Sequence, residues 1–446
     1  MKKILAAICH CSFSLLVMSI ATGLTAGADR ETQVREDRKQ FEGNDRWIYN
    51  DLPKAFEEAR RLDRPLLVVF RCIPCEACST FDEQVVARDH RIRKLIDRFV
   101  CVRVPQGNGL DLNRFQFDYD MSLAMFLMRA DGTIYGRFGT RSGRTDQDHE
   151  MSIEGFGKAL SRALKMHDDF GDYQPFLVGK AGLPVAIMKP EEHAWLKGKY
   201  TDRLDYEGKV AKSCIHCHQI REAQRLTLRN AGEPIPDDLM FPWPSPTLLG
   251  LRLDPDECAT VKEVADESLA AKAGFQAGDD IQSVNGQHPL SIADIQWVLH
   301  SLKEGSELKM EVVRKGNRIP LEIRLRKGWR QLSDISWRVT TWDLRRIALG
   351  GMVLEPAAED WREKMGVPSN KLALRVKYVG QYGEHAKAKE TGFEKDDVVV
   401  DFDNDDSIRS ESSLIAKTVN AHRPGSKVPV TVMRSGNRLT FHLPIQ

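Results

Sequence analysis

The chain has 446 residues, of which 41% are hydrophobic, and its 65 basic residues nearly balance its 64 acidic residues. That length allows several domains, each with a hydrophobic core of its own. The balanced charge and the lack of a basic tract argue against nucleic-acid binding.

Residues 1–28 have the composition of an export signal. Two lysines precede an apolar run, and Ala26-Gly27-Ala28 forms a small-x-small cleavage pattern. We therefore expect a periplasmic or secreted protein that does not associate with the membrane after cleavage. An uncleaved apolar anchor is the alternative interpretation of the same run. Residues 29–45 carry mixed charge and are predicted to be a linker.

Residues 46–166 alternate between helix and strand patterns. Helical spacing over DLPKAFEEARRLDRP is followed by the apolar run PLLVVF, and RFVCVRV and MSLAMFLMRADGTIYGRFG predict further strands. Between them, RCIPCEAC places Cys75 and Cys78 at the expected start of a helix, where the helix dipole and unpaired N–H groups stabilise a thiolate. We predict that Cys75 attacks a disulfide, that Cys78 resolves the mixed disulfide, and that Cys72 is an extra cysteine of the same site. A soft-metal site and inert buried cysteines are the alternatives.

This order of elements resembles the thioredoxin-like fold. The resemblance implies a thiol-redox activity for the Cys-x-x-Cys motif. Thioredoxins carry a cis-proline shortly before the closing hairpin, and this sequence has Leu123 at that position. The departure favours a non-enzymatic alternative.

Residues 171–246 form an inserted segment that contains KSCIHCHQIREAQ. Its Cys-x-x-Cys-His pattern is typical of covalent c-type haem attachment, with Cys214 and Cys217 as thioether anchors and His218 as the ligand of the haem iron. We therefore predict haem c as a cofactor, with Met240 as a candidate sixth ligand.

Two other interpretations of this pattern stay open. The pair Cys214 and Cys217 could be a second dithiol that exchanges with the first cysteine motif. Alternatively, His216 between the cysteines offers an additional zinc ligand.

The second half of the chain contains two copies of one pattern. AGFQAGDDIQSVNGQ at 273–287 aligns with TGFEKDDVVVDFDND at 391–405, and each copy ends in a similar Gly-Asn-Arg hairpin. The copies, at 247–330 and 345–446, resemble bacterial PDZ domains of the protease-associated type. This resemblance implies that each binds an extended peptide at a sheet edge and holds its carboxylate in backbone N–H groups. The implied binding residues are Leu249, Gly250 and Leu251 in the first copy and Leu349, Gly350 and Gly351 in the second.

The whole arrangement resembles a bacterial thioredoxin-like/PDZ family, in which some members carry selenocysteine near the motif held here by RCIPCEAC. The predicted fold class is α/β plus β, in an exported multidomain chain. The leading functional hypothesis is a thiol–disulfide redox protein whose PDZ domains recruit peptide or protein C-termini. A non-enzymatic PDZ scaffold with a haem-based relay or sensing role is the alternative. No Gly-x-Ser-x-Gly motif is present, so we expect that the chain is not a protease.

Overall fold

The structure is a computed structural model, and it describes residues 29–73, 90–139 and 151–446. Over these ranges, none of the helices combines the length and the apolar character needed to cross a membrane.

The first domain is built on a five-stranded sheet. Its strands are β1 (Trp47–Tyr49), β2 (Leu66–Arg71), β3 (Val100–Val104), β4 (Leu123–Met128) and β5 (Ile134–Phe138). They lie in the order β1-β3-β2-β4-β5, with the first three parallel and the last two antiparallel. Every residue of β2 to β5 is buried, and these strands are mostly apolar in sequence apart from the buried Arg71, Arg103 and Arg137.

Both faces of this sheet are covered by helices. Successive residues of β2 alternate between two cores, with Leu67 in one and Leu66 in the other, because side chains along a strand point to opposite faces. Helix α2 (Leu52–Leu62) supplies Phe56 to one core, and helix α4 (Ile153–Asp168) supplies Phe156 to the other. Helix α3 (His90–Ile96) packs beside α4.

The linker predicted at residues 29–45 is wrong over most of its length. Helix α1 (Arg30–Phe41) occupies it, with the Asp29 side chain accepting a hydrogen bond from the backbone of Thr32. Val34 and Phe41 are buried, and Asp37 forms a buried ion pair with Arg103 of β3 at 2.7 Å. The helix is thus part of the first domain.

The inserted segment packs mainly against the cores of other domains. Its helices are α5 (Phe170–Tyr173), α6 (Val210–Ser213), α7 (Cys217–Ala231) and α8 (Asp237–Met240), with three short 3-10 turns between α5 and α6. Ile220 and Trp243 join a core of the first domain, whereas Ile235 and Phe241 join the core of the last domain. The segment therefore packs against both the first and the last domain and connects them.

The two PDZ-type units follow. The first contains strands β6 to β10 and helices α9 and α10, and the second contains β11 to β15 and α11 to α14. Their bounds are β6 (Leu251–Leu253), β7 (Val261–Val264), α9 (Leu269–Ala273), β8 (Asp280–Val284), α10 (Ile292–Ser301), β9 (Glu307–Arg314), β10 (Asn317–Arg324), α11 (Thr341–Leu349), β11 (Met352–Pro356), α12 (Glu359–Met365), β12 (Leu374–Val379), α13 (Lys387–Thr391), β13 (Val398–Phe402), α14 (Glu411–Ala421), β14 (Lys427–Arg434) and β15 (Asn437–Pro444).

One ion pair confirms that the two units are repeats. Arg314 donates to Asp279 at 2.6 and 2.7 Å, and the aligned Arg434 donates to Asp397 at the same two distances. Both aspartates are fully buried, so each unit uses the pair to close the same turn.

Candidate functional site

The cysteine-bearing parts of the chain meet at one edge of the first sheet. Cys72 follows β2 directly, and its N–H donates to the Ser122 carbonyl at 2.9 Å. The neighbouring strand β3 runs into the loop 105–109, which contacts the Cys-x-x-Cys-His motif. Carboxyl ends of parallel strands share one sheet edge, and this is where α/β domains commonly place their sites.

Asn108 fixes the motif to this edge. Its side chain accepts from the backbone N–H of Ile215 at 2.7 Å and donates to the carbonyls of Ser213 and Thr201 at 2.9 and 2.8 Å. The Gly107 N–H donates to the Ile215 carbonyl at 2.8 Å, and a Cβ at position 107 would lie 2.9 Å from that oxygen. The site therefore requires glycine at this close approach.

His216 joins the two motifs. Its Nδ1 lies 3.3 Å from the Sγ of Cys72. Burial, followed by the neighbouring His218, lowers the pKa of His216 to about 4, so the ring is neutral at neutral pH. The sequence pattern indicates His216 only as a zinc ligand and does not predict this contact with the first domain.

Cys214 is enclosed by protein. It is 6% exposed and packs with Val34 of α1, Leu204 and Val210. Its thiol approaches the Pro105 carbonyl at 3.8 Å. Burial, with a smaller contribution from nearby Cys72, raises the pKa of the Cys214 thiol to about 12.

Cys217 begins helix α7 and packs against the core of the first domain. The Gln219 side chain accepts from the His216 N–H at 2.8 Å, which caps this helix start. Burial raises the pKa of the Cys217 thiol, with smaller contributions from Cys72 and Cys214.

The packing of these residues does not fit haem, which stays a prediction from the sequence. His218 has a ligand-like arrangement, because its Nδ1 contacts Glu222 at 3.0 Å and its side chain is partly exposed. However, a porphyrin would have to reach both sulfurs, and Cys214 is enclosed by protein while half-buried Cys217 packs against the core of the first domain. Met240, the proposed sixth ligand, is fully buried in the core of the second PDZ-type unit and is not brought to the motif.

Metal binding has no support in the part of the chain that the structure describes. No group of three or more cysteine, histidine or acidic side chains there is placed to hold a metal ion. The predicted nucleophile Cys75 and its partner Cys78 lie outside the described residues.

The predicted carboxylate loops lie where the two PDZ-type units begin. In the first, Leu249 is buried, Gly250 adopts a positive φ of 87°, and Leu251 starts β6. In the second, Leu349 ends α11, and Gly350 and Gly351 both have positive φ before β11. Each stretch leads directly into the first strand of its unit, and its role in binding a carboxylate stays a prediction.

In each PDZ-type unit, the helix that follows the third strand, α10 or α14, is held by contacts with residues elsewhere in the chain. In the first unit, Asp294 of α10 accepts from the Lys180 ammonium at 2.8 Å, and both side chains are buried. In the second, Glu411 of α14 accepts from the Leu354 N–H of β11 at 2.8 Å and pairs with buried Arg345 at 2.6 Å. These contacts were not foreseen from the sequence.

Comparisons with known proteins agree with the fold. A thioredoxin-like family model matches residues 47–130, and a PDZ domain model matches residues 247–325 and 376–445. The second PDZ match begins after β11, although β11 pairs with β12 in the same sheet. PDZ domains are modules that bind peptide or protein C-termini.

The curated relatives are periplasmic proteases. A probable DegP-like endoprotease of Pseudomonas savastanoi is 41% identical over 71 residues, which is 16% of this chain and 15% of that protein. The pH-dependent endoprotease DegQ of Escherichia coli is 31% identical over 153 residues, 34% of this chain and 30% of that protein. Among solved structures, the HtrA-type protease AlgW is 13% identical with a TM-score of 0.21 and covers 42% of this chain and 53% of its own.

These comparisons correct one expectation and confirm another. The expectation that the chain is not a protease is contradicted, because the relatives are serine endoproteases. The chain spans about 15% of the length of the first of these relatives. All are periplasmic, which confirms the predicted location. The chain joins a thioredoxin-like domain to two PDZ domains, the composition of the thioredoxin-like/PDZ family predicted from its sequence.

Proposed function

We propose that the chain is a periplasmic thiol–disulfide redox protein. One observation carries this proposal, namely the contact of His216, which lies between Cys214 and Cys217, with Cys72 at the end of β2. It brings the second cysteine pair to the sheet edge where Cys72 lies. An internal dithiol near a cysteine of the thioredoxin-like domain is suited to passing a disulfide by exchange.

In this proposal Cys75 is the nucleophile and Cys78 resolves the mixed disulfide, as the sequence predicts. The PDZ domains would recruit clients by their C-termini. Haem is not part of the proposal.

The test is insulin reduction together with the reduction potential of the purified chain. Cys75→Ser should abolish turnover, because the attacking thiolate is lost. Cys101→Ser is the matched control, since Cys101 is buried in β3 and burial raises the pKa of its thiol to about 12. Equal rates for the wild type and Cys75→Ser would contradict the proposal.

Proteolysis is the second candidate function, and the serine endoproteases among the relatives favour it. Casein cleavage and labelling by a serine-reactive fluorophosphonate would test it on the purified chain. Labelling at one serine whose alanine variant stops cleavage would establish the activity. Absence of both signals would restrict the relationship to the shared peptide-binding modules.

A further inference from the structure

We propose that Cys72 is an exchange thiol in its own right and that its disulfide partner inside the chain is Cys217. This inference rests on the proposed redox function and identifies the path by which the second cysteine pair communicates with the first domain. It uses only residues that the structure describes.

The positions of Cys72 and Cys217 in the fold support this pairing. Cys72 lies at the end of β2 and Cys217 at the start of α7, so each sulfur sits at the terminus of a regular element. The Ile73 side chain, next to Cys72, packs with the cluster around Cys214. Residues 72 and 73 thus contact the segment that carries the pair.

Access and sequence position favour Cys217 as the partner. Cys72 and Cys217 are both half-buried, and His216, whose Nδ1 lies 3.3 Å from the Cys72 sulfur, directly precedes Cys217 in the chain. The Cys214 thiol is engaged with the carbonyls of Pro105 and Ile215 and is covered by α1. Cys217 is partly exposed and begins a 15-residue helix, whose N-terminus favours a developing thiolate.

His216 acts as a positioning residue for the Cys72 sulfur. Its neutral ring accepts the proton of the Cys72 thiol in one tautomer and donates to the thiolate in the other. The Cys72 sulfur is therefore held in place in both of its protonation states.

The exchange step is balanced within the chain once the Cys214–Cys217 disulfide has formed. When Cys214 and Cys217 form a disulfide, the Cys72 thiolate attacks the Cys217 sulfur. The bond between Cys72 and Cys217 forms, the bond between Cys217 and Cys214 breaks, and the released electron pair takes up a proton on Cys214. One disulfide is converted into another, and the first disulfide is supplied by a disulfide-bearing partner protein.

The experiment traps the intermediate in the full chain. In a Cys75→Ser/Cys78→Ser background, Cys214→Ser leaves Cys217 without its resolving thiol. After mild oxidation with diamide, mass spectrometry of a non-reduced digest should find the peptides of Cys72 and Cys217 joined. Cys258→Ser, which removes a distant buried cysteine, should leave this product unchanged.

The role of His216 is tested by rate. His216→Phe should slow formation of the joined product about tenfold, whereas His216→Gln, which retains an acceptor, should recover much of the rate. Circular dichroism of each variant verifies that it is folded. Equal rates for the Phe and Gln variants would remove the positioning role.

A Cys217 that stays reduced while Cys72 is alkylated in the folded trap variant would overturn the inference. The proposed function has a separate readout, insulin turnover that depends on Cys75. Turnover without the joined product would refute the internal exchange alone. The joined product without turnover would refute the proposed function alone.

Discussion

The two PDZ domains share a fold but are restrained by different parts of the molecule. In the first, Trp297 of α10 donates to the Gly179 carbonyl of the inserted segment at 2.8 Å and packs under Arg137 of the thioredoxin-like domain at 4.0 Å. In the second, α14 is held by α11 of the same domain through Glu411, and its Asn420 side chain accepts from the Ile235 N–H of the inserted segment at 2.8 Å. The first PDZ domain is thus tied to the thioredoxin-like domain as well as to the inserted segment, whereas α14 of the second is held by its own domain and by the inserted segment.

The difference shows how a repeat acquires separate roles. The ion pair that closes a turn is the same in both copies, so the fold itself is unchanged. The face of α10 that packs against the thioredoxin-like domain and the inserted segment carries Asp294, Trp297 and His300, and the corresponding helix α14 differs there. Peptide binding should therefore be opposed by different contacts in the two PDZ domains.

The largest expected effect is on the docking of the first PDZ domain. Lys180→Met leaves the Asp294 carboxylate buried without its cation, and we expect the free energy of unfolding to fall by about 3–5 kcal/mol. Urea denaturation measures this. Lys417→Met is the control, because that lysine pairs with Asp405 at the surface and should matter by less than about 1 kcal/mol. Equal losses would show that the docking does not distinguish the copies.

The shared ion pair should give equal effects in the two domains. Arg314→Met and Arg434→Met each remove a partner from a buried aspartate that keeps one backbone donor, from Gln276 and Glu394 respectively. We expect each to lower the free energy of unfolding by about 1–3 kcal/mol. A clear inequality between them in urea denaturation would mean that the repeats are not equivalent.

Opening the second groove should increase peptide binding there. Glu411→Ala frees the Leu354 N–H, whereas Glu411→Gln retains an oxygen that can accept from it. We expect the alanine variant to bind a fluorescent peptide with an apolar C-terminus about tenfold more tightly than the glutamine variant, as one regained hydrogen bond implies. Fluorescence anisotropy measures the difference, and equal affinities would show that Glu411 does not block the edge.

The smallest expected effect concerns acid. His300 stacks on Trp243 at 5.0 Å, and burial and surrounding arginines lower its pKa well below the usual value; those arginines are Arg221, Arg330, Arg338 and Arg137. The unfolded chain therefore takes up the proton first, and stability present above about pH 6.5 is lost as the pH falls below it. The aligned residue of the second domain, Asn420, does not titrate.

The variant His300→Asn should lose less stability than the wild type as the pH falls. The melting temperature of the wild type and the variant at pH 7.5 and pH 5.5 provides the test. An unchanged difference between the two pH values would assign the acid sensitivity to another group.

The sequence predicted the sheet of the first domain and the repeat of the second half, because both depend on local patterns. Apolar runs such as PLLVVF mark strands buried on both faces, and repeated turn residues mark copies of one fold. Helix α1 was missed because its buried positions include Asp37, whose ion pair with Arg103 is invisible in a hydropathy pattern. The burial of a charged residue can be predicted only when the residue that pairs with it is known.

The candidate site was predicted in its parts but not in its assembly. The cysteines of both motifs stand out by spacing, but nothing local indicates that Cys72 lies beside His216. Asn108, which fixes the second motif by three hydrogen bonds, is one polar residue in an ordinary loop. Contacts between distant positions depend on packing that single-sequence patterns do not contain.

The position of α1 has a consequence for biogenesis. Arg35 of this helix donates to the carbonyls of Tyr206 and Gly208, and Val34 covers Cys214, so its binding surface is synthesised some 170 residues later. The helix crosses into the periplasm early but has no place to dock until that later stretch has followed. Cys214 enters the compartment after the helix that covers it, so the order of translocation has α1 already present when the thiol arrives.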